Sequence, residues 1–256
     1  MNFIKKNDLF LLEEIVKRNF SSKYKDSVLG ILWTILSPLL MMALFTIIFS
    51  TIFGSRIENF QVYFLCGWCL FNFFTSSITA SMNSLKGNKN ILQRTPAPKF
   101  IFILGGIISE LLNLIIMLIL LVIVMFITHA PFHTSIMIFS VIPLISLLIM
   151  ITGLGLTLSV ACVYYSDIQH LWGVVSIMLM YASAIFYPMS IIPEGYRQYL
   201  LLNPFFWIVD QFRCFTYYGI IPQLGYVINS LLISTIILVI GIIIFKKYER
   251  NVTMKF

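Results

Sequence analysis

The sequence predicts an all-α polytopic membrane protein, with six transmembrane helices, an N-terminal amphipathic interface helix, and two short re-entrant helices before the last span. Three observations carry that expectation. Of 256 residues, 59% are hydrophobic and only 11% charged, with a mean hydropathy of +0.95, whereas a soluble domain carries about a quarter charged residues. The apolar residues fall in runs of roughly 20 or more, the length a helix needs to cross about 30 Å of hydrocarbon. The basic residues behind the formal charge of +7 gather beside those runs. There they report orientation and headgroup contact, and nucleic acid is excluded as a partner.

A single domain is expected over 1–256, with a cytoplasmic interface helix at 1–27, a membrane domain at 28–245 and a cytoplasmic tail at 246–256. Residues 7–25 place Leu9, Leu12, Val16 and Phe20 at helical spacing, with Leu11 and Ile15 widening the stripe. Glu13, Glu14, Lys17, Arg18 and Ser21 fall on the other side, as in a helix lying in the headgroup boundary. The first apolar run, from about Val28 to Phe53, is far longer than a signal-peptide core and no small-residue cleavage site follows it. The N-terminus is therefore expected to stay in the mature chain. Pro38 removes one backbone hydrogen bond from this span and bends it.

The second span is expected at about Gln61 to Leu85. The loop 86–99 then holds four basic residues, no acidic ones and Pro96-Ala97-Pro98. Ile91 and Leu92 suit the apolar face of a short helix that the prolines stop. The third span, Phe100 to Thr128, contains Glu110, a carboxylate that must face protein or water rather than lipid. His129, Pro131 and His133 mark a turn. The fourth span, Ile136 to Val163, carries Gly153 and Gly155, which allow close helix approach. After the polar break Tyr164–His170, a fifth span is expected from Leu171 to Tyr187. Residues 188–222 are too apolar for an exposed loop and too proline-rich for one crossing, so two short helices at 193–202 and 204–217 dipping into the membrane fit them best. Asp210 and Arg213, three apart, are expected to neutralise each other locally. The sixth span is Leu224 to Phe245.

With the N-terminus cytoplasmic, all of the 17 lysines and arginines except Arg56, Arg197 and Arg213 fall on the cytoplasmic side. This is a strong positive-inside bias. It places both termini inside a multi-pass cytoplasmic (inner) membrane protein.

Catalytic signatures are missing from the sequence. There is no phosphate-cradling GxxxxGK[ST], no HExxH and no GxSxG, so ATP, metal-hydrolase and serine-hydrolase readings lose their usual footing. Cys66 and Cys69 form CGWC, but inside an apolar helix without a second ligand pair they read as small packing residues. No disulfide and no metal site is expected. Glu110 and Asp167 are too isolated for an acid–base pair. Transport is favoured over catalysis.

The layout resembles the ABC-type polysaccharide exporter permeases. The resemblance covers nearly the whole chain and is most specific at three places: Tyr24-Lys25-x-Ser27-x-Leu29-Gly30-x-Leu32-Trp33 with Pro38; Asp167-Ile168-x-His170; and Phe186-Tyr187-Pro188 through Asn203-Pro204-Phe205. Ser166 departs from it, standing where relatives often carry an arginine. The resemblance implies export of a lipid-linked polysaccharide of O-antigen, capsule or teichoic acid type. The exporter would be a homodimer of this subunit with two copies of a cytoplasmic ABC ATPase that binds the ATP and Mg²⁺, so the chain itself carries no cofactor and is no enzyme. It implies ATPase coupling through Asn88, Lys89, Arg94, Pro96 and Lys99, with a second contact at Asp167 and His170. The alternative for the first loop is a solvated basic loop against anionic lipid.

The path would run between the two subunits, lined by the first and fifth spans. Candidate stacking residues for the sugar chain are Trp33, Trp172, Tyr181, Phe186 and Tyr187, although Trp and Tyr are enriched at membrane interfaces in any case. The gate would be Arg18, Lys23, Tyr24, Lys25, Gly30 and Pro38. Its basic residues suit a lipid pyrophosphate, and equally snorkelling. A drug or lipid exporter of the same class, and less favourably a membrane enzyme acting on lipid-linked sugars, are the competing readings.

Overall fold

The computed structural model describes residues 6–25, 27–53, 57–94 and 97–255. Among these residues the chain is helical throughout, without a strand: α1 (Lys6–Tyr24), α2 (Trp33–Phe53), α3 (Phe60–Gly87), α4 (Lys89–Arg94), α5 (Phe100–Ile127), α6 (Thr134–Met137), α7 (Val141–Tyr164), α8 (Ile168–Ala182), α9 (Glu194–Leu201), α10 (Pro204–Arg213) and α11 (Leu224–Met254). Among the described residues five helical stretches, built on α2, α3, α5, α7 and α11, are long and apolar enough to cross a membrane. The remaining expected span, the fifth, is α8, which has 15 residues. It rises only about 22 Å at 1.5 Å per residue, short of a hydrocarbon core of about 30 Å.

The bundle is built around α3. In its most apolar window 72% of the residues are buried, against 6% for α2, and α8 has no buried residue. Helices α5 and α7 flank α3, and α11 packs along α7. Small residues set these approaches. A Cβ on Gly241 would lie 2.3 Å from the Gly153 carbonyl oxygen, and one on Gly153 would lie 2.6 Å from the backbone of Ile237 and Leu238. The α7–α11 crossing is therefore a backbone-to-backbone contact that any side chain would wedge open. Gly155 seats Ser81 of α3 in the same way.

The N-terminal helix meets protein as well as its surroundings. Ile15 is buried, with its Cγ2 at 2.5 Å from where a Cβ on Gly105 of α5 would stand. Leu11 and Leu12 pack beside it, while Leu9 and Phe10 are 58% and 69% exposed. The expected stripe is thus rotated: the glycine seat on α5, invisible from the α1 sequence, selects Ile15 as the anchor. Outside the bundle Lys17 meets Glu13 at 2.8 Å, and that hydrogen bond holds the exposed Glu13 carboxyl below its ordinary pKa.

From α1 the chain enters α2 through a 3₁₀ turn at Gly30–Leu32. Gly30 has φ +50° with open space around it, so backbone conformation, not crowding, requires glycine there. Pro38 lies buried inside α2.

The end of α8 differs from the expected Leu171–Tyr187. The helix stops at Ala182, and Ala184 adopts φ +49°. Side chains from elsewhere take the carbonyls that a continuing helix would have used. Tyr187 Oη donates to the Tyr181 carbonyl, Asn203 Nδ2 donates to Ala182 O at 3.2 Å, and Arg213 donates to Ala184 O and Ile185 O, each at 2.8 Å. Orphan carbonyls at a helix end must find such partners when water is distant. Arg213 is 2% exposed. It also bonds the Tyr63 hydroxyl at 2.8 Å and stacks 3.7 Å above that ring. Its fork therefore serves the end of α8 and α3, and no ion pair with Asp210 forms; local neutralisation was too simple a reading. Gly67 leaves the room: a Cβ there would lie 2.7 Å from the guanidinium.

The proline-rich segment folds as two short helices, as its punctuation requires. Asn203 caps α10 by accepting the Phe205 N–H at 3.0 Å, with Pro204 in the first turn, the arrangement favoured at helix starts. A π turn at Cys214–Tyr218 ends at Gly219, φ +64°, whose missing Cβ accommodates the His133 ring. The four cysteines are buried and unpaired.

Candidate functional site

One cluster of polar residues lies beneath α1. A cavity of about 510 Å³ lies between α1, α3 and α5, lined by Arg18, Asn19, Ser22 and Lys23, by Asn83, Ser84 and Asn88, and by Ser109 and Glu110. Spacing along each helix explains the lining. Ala80, Asn83, Ser84, Gly87 and Asn88 recur at three and four residues on one face of α3, and Gly106, Ser109 and Glu110 do the same on α5, the interval that stacks side chains on one helix face. A second cavity of about 180 Å³ continues past Lys23 to Trp33, Ser37 and Pro38 of α2 and Asn113 of α5.

Two polar contacts tie α1 over these cavities. Lys23 Nζ sits 3.0 and 3.1 Å from the two Glu110 carboxylate oxygens, and Asn113 Nδ2 donates to Glu110 Oε2 at 2.9 Å. Glu110, whose side chain is 12% exposed, thereby gains the partner that a carboxylate on an apolar helix needs. Arg18 donates to Asn88 Oδ1 at 2.6 Å, and Asn88 Nδ2 donates to Ser84 O at 2.7 Å. Of the expected gate residues, Arg18 and Lys23 line the cavity. Lys25 is exposed, Gly30 and Pro38 shape the approach to α2, and Tyr24 ends α1.

The expected coupling residues divide. Lys89 and Arg94 bound α4, whose Leu92 is buried and whose Ile91 and Leu92 amides each donate to the Asn88 carbonyl at 3.0 Å. Asn88 is itself turned inward, 7% exposed. Lys99 donates to the Glu249 carbonyl, and Pro96 lies outside the described residues. Asp167 and His170 are exposed at the start of α8, beside Gln169, which donates to Asn83 Oδ1 at 2.6 Å.

The aromatic candidates divide as well. Trp33 and Tyr181 are 45% and 56% exposed. Trp172 is half-buried against Phe74, with centroids 5.8 Å apart. Tyr187 is half-buried, and its carbonyl accepts from the Tyr63 hydroxyl at 2.9 Å. Phe186 is 2% exposed, packed among Phe45, Phe49 and Phe64. Sequence reasoning passed over Asn83, Ser109 and Asn113 as cavity residues and left Glu110 unpartnered. The three- and four-residue spacing of small polar residues on α3 and α5 was the available signal. The Lys23–Glu110 pairing, 87 residues apart, had none.

The chain is similar to known transport proteins. The chain is 27% identical over 243 residues to an O-antigen export system permease protein (RfbA) of Klebsiella pneumoniae, covering 93% of this chain and 92% of that protein. It is 24% identical over 216 residues to an O-antigen export system permease protein of Myxococcus xanthus, covering 83% and 82%. With a polysialic acid transport protein (KpsM) of Escherichia coli it shares 25% identity over 242 residues, 93% of each chain. The profile of the ABC-2 type transporters matches residues 11–217, a stretch that runs from α1 through the Arg213-centred hairpin and takes in both polar cavities. The chain belongs to the ABC-2 type transporter family.

Proposed function

We propose that the chain is the membrane-spanning permease of an ATP-driven polysaccharide exporter, working without catalysis of its own. The supporting observation is the polar cavity beneath α1, rimmed by Arg18 and Lys23, in a member of the ABC-2 family whose relatives are named O-antigen and polysialic acid transport proteins. The substrate is a lipid-linked polysaccharide whose anionic head approaches α1 from the cytoplasmic leaflet while the lipid tail stays in the bilayer. Both termini are cytoplasmic, and the chain sits in the cytoplasmic (inner) membrane. The fifth crossing is completed by α8 and the side-chain-capped segment after it, and α9 and α10 form a re-entrant hairpin.

Two copies form a homodimer around the path, with α2 and α8 facing it. Their lack of burial within one subunit supports this, as do the exposed Trp33 and Tyr181. Two copies of a separate ATPase dock on α4 and on the Tyr164–His170 turn and supply the ATP and Mg²⁺ chemistry. The test is reconstitution of the chain with its ATPase in liposomes, scoring ATP-dependent appearance of lipid-linked polysaccharide on the far side. ATP-driven movement of small amphiphiles with no polysaccharide movement would overturn the substrate assignment.

A further inference from the structure

Away from α2 and α8, the opposite flank of the bundle carries a groove of about 440 Å³ between α5, α7 and α11. Its floor is Thr152 and Leu156 of α7, and its walls are Leu104 of α5 with Leu238 and Ile242 of α11. The Thr152 hydroxyl donates to Leu148 O at 2.7 Å, so the floor makes no polar demand on an occupant. The groove closes at the α1 end of the bundle, where Lys99 Nζ bonds the Glu249 carbonyl. Lys246 stands exposed on that rim, and no ion pair among the described residues holds it. Glu249 is the one carboxylate on the rim.

We infer that this groove is a binding site for one anionic phospholipid of the bilayer, with an acyl chain laid along Thr152 and Leu156 and the headgroup phosphate at Lys246. Two physical facts select that occupant. An apolar groove on the flank of a membrane bundle is filled by hydrocarbon, because water in it would find no partners. A basic residue at the headgroup end of an interhelical groove favours anionic over zwitterionic heads. The site lies just past α4, since Pro98 and Phe100 also line it. A bound tail therefore braces the start of α5 against α11.

The experiment is native mass spectrometry of the full-length chain exchanged into mixed phosphatidylglycerol and phosphatidylcholine micelles, with lipid-dependent thermal stability measured in parallel. One retained phosphatidylglycerol per chain is expected. Lys246→Ala weakens its retention about fivefold, the loss expected for one lysine at an anionic surface, while Lys247→Ala, off the groove, changes little. Ile242→Trp and Thr152→Phe fill the groove from wall and floor. Either abolishes retention with Lys246 intact, and Ile242→Trp keeps the test alive should Thr152→Phe fail to fold. Equal retention of both lipids, or phosphatidylglycerol retained by a folded groove-filling variant, would overturn the site. So would a groove-filling variant that lost dimerisation without any lipid having been bound, because a second copy would then be the occupant.

Discussion

Lys23 and Glu110 show how unequal the two halves of an ion pair become beside a membrane. Their side chains are 45% and 12% exposed. Removing Glu110 leaves a lysine that water still reaches, whereas removing Lys23 strands a nearly buried carboxylate. Lys23→Met is therefore expected to cost about 2–3 kcal/mol, somewhat below the loss for a fully buried pair, and Glu110→Gln less than about 1 kcal/mol. A double-mutant cycle by thermal unfolding in detergent should show coupling of about 1–2 kcal/mol, and equal single losses would refute the asymmetry. Arg213 poses the same kind of question in a drier place. Lysine has no fork to reach Ala184 O, Ile185 O and Tyr63 together. Arg213→Lys should thus destabilise by about 2–3 kcal/mol and raise amide exchange at residues 183–187, with little change in α7. For the proposed sugar path, Tyr181→Ala removes a ring that is 56% exposed and meets the core only at Phe186, with centroids 5.8 Å apart. Polymer export should fall while assembly with the ATPase persists, and unchanged export would remove the stacking argument. Tyr187→Ala is a blunter probe, because the Tyr187 hydroxyl also holds the end of α8.

At the scale of elements, most helix positions were legible because apolar runs and prolines are local signals. The interval from Phe100 onward and the short helix at Ile91 and Leu92 follow from composition alone, and so does a break after Tyr164, although it spans only residues 165–167 and α8 already begins at Ile168. What escaped was decided by distant partners. The anchor of α1 moved to Ile15 because α5 offers Gly105, and α8 ended at Ala182 because Asn203, Tyr187 and Arg213 claim its carbonyls. The two halves of one sequence motif, Phe186-Tyr187-Pro188 and Asn203-Pro204-Phe205, turn out to meet at that same helix end. Gly153 and Gly155 announced close packing in sequence but not their partners, Gly241 and Ser81. Gly241→Ala tests the crossing: its Cβ would press on backbone, which cannot rotate aside, so α7 and α11 must separate. A loss of about 2–3 kcal/mol is expected from such overpacking. Gly173→Ala, which meets open space on α8, should be neutral or slightly stabilising.

For the whole molecule, the proposed division of labour makes a direct prediction. The purified chain alone should hydrolyse no ATP, and hydrolysis should appear on adding the ATPase; robust turnover by the isolated chain would sink the permease assignment. Because Cys66, Cys69, Cys162 and Cys214 are all buried, single cysteines placed at Ile177 or Met178 of α8 can be cross-linked without stripping the native thiols. Disulfide-linked dimers should form through these positions and not through Ile119 on α5. The uneven burial of the helices then carries a mechanical meaning. With its apolar window largely enclosed, α3 cannot shift without breaking the core, whereas α2 and α8 rest against the bundle on few neighbours. The subunit is built as a fixed mast with loosely stayed spars. In the proposed dimer, opening a passage between two such subunits calls for swinging the spars, leaving the masts, and the packing energy stored in them, untouched.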